Sequence, residues 1–196
     1  MSQQHKAIFI DKDGTLIPDI PYNINADLIT IEPETIKGLQ FLKEQGFLLI
    51  IISNQSGIAK GYFEEGDLKK VKNRIDSLLQ PHQVNIDEFY YCPHYPNAAI
   101  RKYAIDCDCR KPMPGLILRA AQDFNIDLSQ SWMIGDILND IEAGKRAGCK
   151  TILLDKGHET EWVLSPLRTP DFTAKNIMEA ALLVKQYSKK LLLHHE

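Results

Sequence analysis

Residues 7–16 read Ala7-Ile8-Phe9-Ile10-Asp11-Lys12-Asp13-Gly14-Thr15-Leu16, and this stretch decides the fold. Its first four residues are apolar without alternation, which predicts a short strand buried on both faces, as in a parallel sheet. The strand runs straight into Asp11 and Asp13, and Gly14 lets the chain turn after them. Two carboxylates on one turn repel each other. One reading is a polar β-turn that ends a strand. The other is a divalent cation that removes the repulsion, since ions such as Mg²⁺ use one or two carboxylates together with substrate phosphate.

Working outward, Pro33 and the spacing of Ile36, Leu39, Phe41 and Leu42 predict a helix over 34–45, stopped by Gly46. Residues 47–52 are six apolar residues in a row, a second buried strand that ends at Ser53. Strand, helix and strand at this spacing form a right-handed βαβ unit. Ligands of such sheets gather beyond the carboxyl ends of the strands, so Asp11 and Ser53 share one rim. An amphipathic helix follows over 67–79, then a strand over 86–91 in which Tyr90 and Tyr91 read as sheet packing. Further helices are expected over 116–124, from Asn139 and Asp140 onward, and over 176–187. Strands are expected at 132–134 and 150–154, with an edge strand at Phe172. This alternation predicts an α/β fold, a Rossmann-like three-layer α/β/α sandwich around a central parallel sheet.

The bulk numbers suit one globular domain over 1–190 with a tail at 191–196, in which His194 and His195 make too short a set for a metal site. No run approaches the ~18 apolar residues of a membrane span. A net charge of −3 argues against a nucleic-acid platform. The polar start, Met1 to Lys6, lacks the apolar core of a signal peptide, so the expectation is a cytoplasmic protein, working as a monomer. Three of the four cysteines fall between Cys92 and Cys109, a clustering that favours metal over disulfides in a reducing compartment.

Four strand ends deliver polar residues to one rim: Asp11 and Asp13, Ser53 and Asn54, Lys111, then Asp136 with Asp140 behind the metal position. Together they contain the parts of a phosphoryl transfer to a carboxylate. Asp11 can attack phosphorus and form an aspartyl-phosphate. Asp13 can protonate the leaving oxygen and later take a proton from water. Mg²⁺ held by Asp11, the backbone carbonyl of Asp13 and Asp136 would neutralise charge, while Ser53 and Lys111 grip the remaining phosphate oxygens. Cys92-x-His94 and Cys107-x-Cys109 supply one nitrogen and three sulfurs, a set that suits a closed, structural Zn²⁺ site. Cys109 abuts Arg110 and Lys111, so a zinc ion there would fix the backbone that aims both cations. Cys149, ahead of an apolar strand, reads as a core thiol. The aperiodic loop over 16–30 carries Asp19 and Tyr22, which either line the site entrance or are solvated. No segment between the motifs has the length of a cap domain, so the site is expected to be open.

Asp-x-Asp-Gly-Thr at 11–15, the strand-terminal Ser53, Lys111 before a helix and Gly135-Asp136-x-x-x-Asp140 resemble the four motifs of the haloacid dehalogenase (HAD) superfamily. Asn54 to Gly61, the Cys-x-His and Cys-x-Cys loop, and Cys109-Arg110-Lys111-Pro112 are similar to a narrower group, the heptose 1,7-bisphosphate 7-phosphatases and their histidinol-phosphate phosphatase relatives. The resemblance implies a Mg²⁺-dependent phosphoric monoester hydrolase acting on a small phosphorylated sugar, with structural Zn²⁺. It implies Asp11 as nucleophile and Asp13 as acid/base, and Lys111 on the reacting phosphoryl group. Arg110, Asn54, Gln55, Ser56, Asp19 and Tyr22 would recognise substrate. The competing readings are a histidinol-phosphate or other small sugar-phosphate phosphatase, and a zinc-stabilised module that only binds phosphosugars.

Overall fold

The apolar runs assemble into one six-stranded sheet in a computed structural model that describes residues 4–193. Met1 to Gln3, and the His194-His195 pair of the expected tail, lie outside the described residues. The strands are β1 (Lys6–Ile10), β2 (Phe47–Asn54), β3 (Glu88–Cys92), β4 (Trp132–Gly135), β5 (Lys150–Leu154) and β6 (Phe172–Ala174). All pairings are parallel, in the order β3-β2-β1-β4-β5-β6. The helices are α1 (Pro33–Glu44), α2 (Gly57–Lys60), α3 (Asp67–Leu79), α4 (Gly115–Asp123), α5 (Leu138–Ala147) and α6 (Ile177–Leu193).

Alternation along β1 explains the three layers. Ile8 and Ile10 face a core shared with Leu39 and Leu42 of α1, Val71 and Ile75 of α3, and Ala181 of α6. Ala7 and Phe9 face the opposite core, with Leu116 and Ile117 of α4 and Ala143 of α5. Both faces of the strand are therefore covered, which is why it carries no polar residue between Lys6 and its end. The chain steps outward through β2 and β3, then returns to the other side of β1 at β4. The crevice between β1 and β4 is thus the point where strand order reverses, the place such sheets bind ligands. Asp11 stands at its mouth, its N–H donating to Ile134 O at 3.0 Å.

Several boundaries differ from expectation for identifiable reasons. Strand β2 runs two residues further, because Ser53 and Asn54 keep pairing with Tyr91 and Cys92. Strand β3 starts later, at Glu88, since Asp87 turns aside to accept the Leu49 N–H at 2.7 Å and the Lys43 ammonium at 3.0 Å. Helix α6 continues to Leu193, so the expected tail begins as helix. The hydroxyls of Tyr90 and Tyr91 bond Asp123 (2.6 Å) and Glu65 (2.7 Å), fastening the edge strand to its surroundings. At the carboxyl edge, the connections from β1 to β2 and from β2 to α4 add only one-turn elements: the 3₁₀ turns at Ala26–Leu28 and Arg101–Tyr103, and α2. No cap domain covers the site among the described residues. Among the described residues, no helix is long and apolar enough to cross a membrane.

Helices α1 and α6 touch closely at Gly38, where an added Cβ would fall 2.8 Å from the backbone of Ile177. Gly38→Val therefore should destabilise the protein by about 2 kcal/mol, through overpacking. Gly66→Ala, where nothing lies within 4 Å, serves as the neutral control. Urea unfolding checks both, as a lowered midpoint at unchanged slope for Gly38→Val alone.

Candidate active site

Each motif residue reaches the rim because a strand or helix ends there. Asp11 follows β1, Asp136 follows β4, and Asp140 lies in the first turn of α5. Lys111 arrives from the cysteine loop, and its backbone is clasped by a side chain of β2. Asn54 Oδ1 accepts from the Lys111 N–H at 3.0 Å, and Asn54 Nδ2 donates to Lys111 O at 3.1 Å. So held, the Lys111 ammonium donates to Asp11 Oδ1 and to Ile52 O (3.0 Å), and pairs with Asp140 Oδ1 at 2.6 Å. All three side chains are buried.

Burial pushes the Asp11 carboxyl well above its ordinary range; Lys111 pulls it back, and Asp140, Asp136 and Asp13 push it further up. Asp136 is raised in the same way, by burial first and then by Asp140, with His158 and Thr15 opposing. One carboxylate oxygen each of Asp11, Asp136 and Asp140 lies within 4.8 Å of the others. These buried, mutually repelling oxygens fit a divalent cation with a preference for oxygen.

Asp13 is turned partly outward, its side chain 30% exposed. Lys12 Nζ donates to its Oδ1 at 2.6 Å and Gln55 Nε2 to its Oδ2 at 3.1 Å. The same Gln55 amide donates to Ser53 Oγ at 2.7 Å, so one buried side chain sets both Ser53 and Asp13. A cavity of about 240 Å³ opens beside Asp13, lined by Asp19, Tyr22, Asn54, Gln55 and Ser56. The first loop thus stands across from the turn after β2. Arg110 lies over the Tyr95 ring at 5.0 Å and donates to His94 O at 3.4 Å, on the cysteine-loop side. A larger hollow of about 620 Å³, bounded by residues between 73 and 86, contains none of the motif residues.

The cysteine loop closes on itself. Cys109 Sγ lies 3.0 Å from Cys92 Sγ and 3.2 Å from Cys107 Sγ, and His94 Nδ1 is 3.3 Å from Cys109 Sγ. A zinc tetrahedron with ligand bonds of about 2.3 Å has edges near ~3.8 Å, so this cluster is a slightly contracted version of that set. Its four donors fit Zn²⁺. Cys149 lies elsewhere, buried in the core, where burial pushes its thiol up to about 12.

The HAD-hydrolase-like family model matches residues 108–180. A D-glycero-β-D-manno-heptose-1,7-bisphosphate 7-phosphatase of Pasteurella multocida is 44% identical over 151 residues, covering 77% of this chain and 82% of the relative. The enzyme of that name from Escherichia coli K12 is 35% identical over 176 residues, covering 85% and 92%. The chain belongs to the D-glycero-D-manno-heptose-1,7-bisphosphate 7-phosphatase family of the HAD superfamily. The crystal structure of the Bordetella (B. bronchiseptica) D,D-heptose 1,7-bisphosphate phosphatase, complexed with magnesium and phosphate, superposes with a TM-score of 0.74 at 25% identity. That match covers 93% of this chain and 99% of the other.

In this heptose-bisphosphatase family member, the sequence motifs pass over two side chains that the fold brings to the site. Lys12 is 1% exposed, hidden between two aspartates that drew the attention. His158, in the loop after β5, puts Nδ1 2.6 Å from Asp136 Oδ2. Only the short, polar Asp-Lys-Gly-His run beyond a strand's carboxyl end could have hinted at it.

Elemental analysis of the purified protein should return about one zinc per chain, and Cys107→Ser should abolish it. The same variant should unfold at a lower temperature than wild type, because metal binding at such a site is folding free energy.

Proposed function

We propose that this chain is a magnesium-dependent phosphatase that removes the C7 phosphate of D-glycero-D-manno-heptose 1,7-bisphosphate, leaving heptose 1-phosphate. The observation that carries this reading is the Lys111 ammonium buried between Asp11 and Asp140, with Asp13 two residues beyond the buried carboxylate. That arrangement presents a nucleophile and a more exposed proton donor on one turn, with a fixed cation beside them. The names of the relatives, at 44% and 35% identity over most of the chain, support the substrate.

The reaction runs in two displacements. An Asp11 oxygen attacks the C7 phosphorus as the bond from phosphorus to the sugar oxygen breaks, and Asp13 passes its proton to that departing oxygen. This leaves heptose 1-phosphate and an aspartyl-phosphate on Asp11. Water then attacks the same phosphorus while Asp13 takes its proton, the bond to Asp11 breaks, and inorganic phosphate departs. Mg²⁺, held by Asp11, Asp136 and the Asp13 carbonyl, supplies charge neutralisation for the phosphoryl oxygens when bound. Lys111 and Ser53 hold other oxygens of that group, and Lys12 and Gln55 keep Asp13 aimed. Asp140 acts from behind, by holding Lys111. Arg110, Asp19, Tyr22 and Ser56 take the sugar and its remaining phosphate by charge-assisted and neutral hydrogen bonds, in a cavity whose wall Asn54 and Gln55 complete. Zinc at Cys92, His94, Cys107 and Cys109 is structural in this reading, because protein donors fill all four positions. Residues 1–190 act as one domain, working as a monomer. Cysteines used as metal ligands and as a core thiol, not as disulfides, suit a reducing compartment such as the cytoplasm.

Phosphate release from a panel of both heptose 1,7-bisphosphate anomers, heptose 7-phosphate and histidinol phosphate tests the substrate. A clear preference for the bisphosphate is expected; preference for histidinol phosphate would overturn the assignment. Asp11→Asn should lower kcat by at least about three orders of magnitude. Asp13→Asn should slow the sugar phosphate by roughly 10²- to 10⁴-fold, yet slow p-nitrophenyl phosphate much less, because that leaving group needs no proton. Single-turnover rates on the two esters check the difference.

A further inference from the structure

The loop after β5 makes a connection to the metal-site carboxylate that the four motifs do not contain. Both oxygens of Asp136 are engaged: Oδ1 accepts from Thr15 Oγ1 at 2.9 Å, and Oδ2 lies 2.6 Å from His158 Nδ1. An ionised carboxylate only accepts, so with Asp136 ionised it is His158 Nδ1 that carries the hydrogen. The first turn is shaped around this pair. Gly14 has φ +85°, and a Cβ there would fall 2.1 Å from Asp136 Oδ2 and 2.7 Å from His158 Nδ1. Any other residue would push its side chain between them.

The neighbouring residue explains why the loop stays in place. Glu159 Oε2 accepts from the N–H of Leu138, the first residue of α5, at 2.6 Å, while Oε1 accepts from the Glu161 N–H at 2.8 Å. Burial pushes the Glu159 carboxyl up, but these backbone donors outweigh it and hold it below its ordinary value. A carboxylate on the N-terminal N–H groups of a ten-residue helix is in favourable register with the helix dipole. Asp140, in the same first turn, takes the Ile137 N–H at 3.3 Å. The loop is therefore fastened to the helix that carries Asp140, next to the strand end that carries Asp136.

We infer that His158 is a positioning residue for the catalytic magnesium: it fixes the plane of the Asp136 carboxylate from the side opposite Thr15, and Glu159 anchors it there by capping α5. This rests on the reading that Asp11 and Asp136 hold the metal. A carboxylate has about four lone-pair sites, so two hydrogen bonds leave it free to bind a cation while removing its freedom to rotate. Partners of this kind set metal affinity without touching the metal, and their loss weakens it ~10- to 100-fold.

The test is a magnesium titration without substrate, read by calorimetry and by the rise in unfolding temperature that a bound ligand produces. Wild type, His158→Ala, His158→Asn and Glu159→Ala are compared. His158→Ala should bind Mg²⁺ ~10- to 100-fold more weakly. His158→Asn, whose amide nitrogen can take the place of Nδ1, should recover most of the loss. Glu159→Ala should shift affinity in the same direction by less. Equal or tighter binding by His158→Ala, at an unchanged metal-free unfolding temperature, would overturn the inference, because His158 would then be idle or in competition with the cation. Should His158→Ala fail to fold, His158→Phe, which fills the space without a donor, decides: a loss of ~10-fold or more supports the inference, and wild-type-like affinity overturns it. A wild type that does not respond to magnesium overturns the metal reading itself, which is a separate failure.

Discussion

Burying an ammonium group between two carboxylates is costly unless every partner is held in place, and the Lys111 triad shows what holding it takes. Burial alone would drive Lys111 toward its neutral form; Asp11 and Asp140 more than offset this and keep it charged. Each of the three comes from a different part of the chain. Asp11 is delivered by the central strand, Asp140 by the first turn of α5, and Lys111 by a loop whose backbone is clasped by Asn54. A shift of any one by an ångström would leave a buried charge without its partner. The switch point between β1 and β4 is where such a set can be assembled, because strand ends and a helix N-terminus converge there.

The charges also say what is missing from the protein side. Asp11, Asp13, Asp136 and Asp140 bring four carboxylates to the rim, and Lys12 and Lys111 bring two ammonium groups. Repulsion among these carboxylates adds to burial in raising the Asp11 and Asp136 carboxyls, a setting that a divalent cation relieves. Lys12 sits on Asp13 and Lys111 on Asp11, so the uncompensated charge falls toward Asp136. This is the carboxylate with a hydroxyl on one oxygen and an imidazole on the other. Two donors on separate oxygens orient this carboxylate and leave its remaining lone pairs for a metal.

Much of this was legible in the order of residues. Apolar runs without alternation announced a covered parallel sheet, and that topology alone put Asp11 and Ser53 on one rim. What periodicity does not carry is the direction in which a polar side chain points. Asn54 and Gln55 follow Ser53 in a stretch that resemblance ties to substrate, yet their amides are spent on the Lys111 backbone and on the pair Ser53 and Asp13. Strand β2 outran its apolar run because pairing with β3 is a backbone matter, indifferent to Ser53 and Asn54 being polar. His158 and Glu159 were invisible for a related reason. They lie in an aperiodic loop, and their partners Asp136 and Leu138 are about twenty residues away.

The cysteine loop supplies the last element of the argument. Residues 93–109 have little apolar material of their own; Tyr103 is the one large side chain they bury, and its hydroxyl is tied to Glu65. Such a segment does not order itself by hydrophobic burial. Besides Tyr103 and the Ile100 N–H, which donates to Ala59 O at 3.0 Å, it is gathered by the cluster of three sulfurs and one imidazole nitrogen, of which Cys92 belongs to β3 and Cys109 stands two residues before Lys111. With zinc bound there, β3 and the loop become one rigid piece, and Lys111 leaves that piece already aimed between Asp11 and Asp140. A metal that never meets substrate would then set the position of the cation that does. Among the described residues no cap domain presses the loops into place, and that brace would then perform what a second domain otherwise provides.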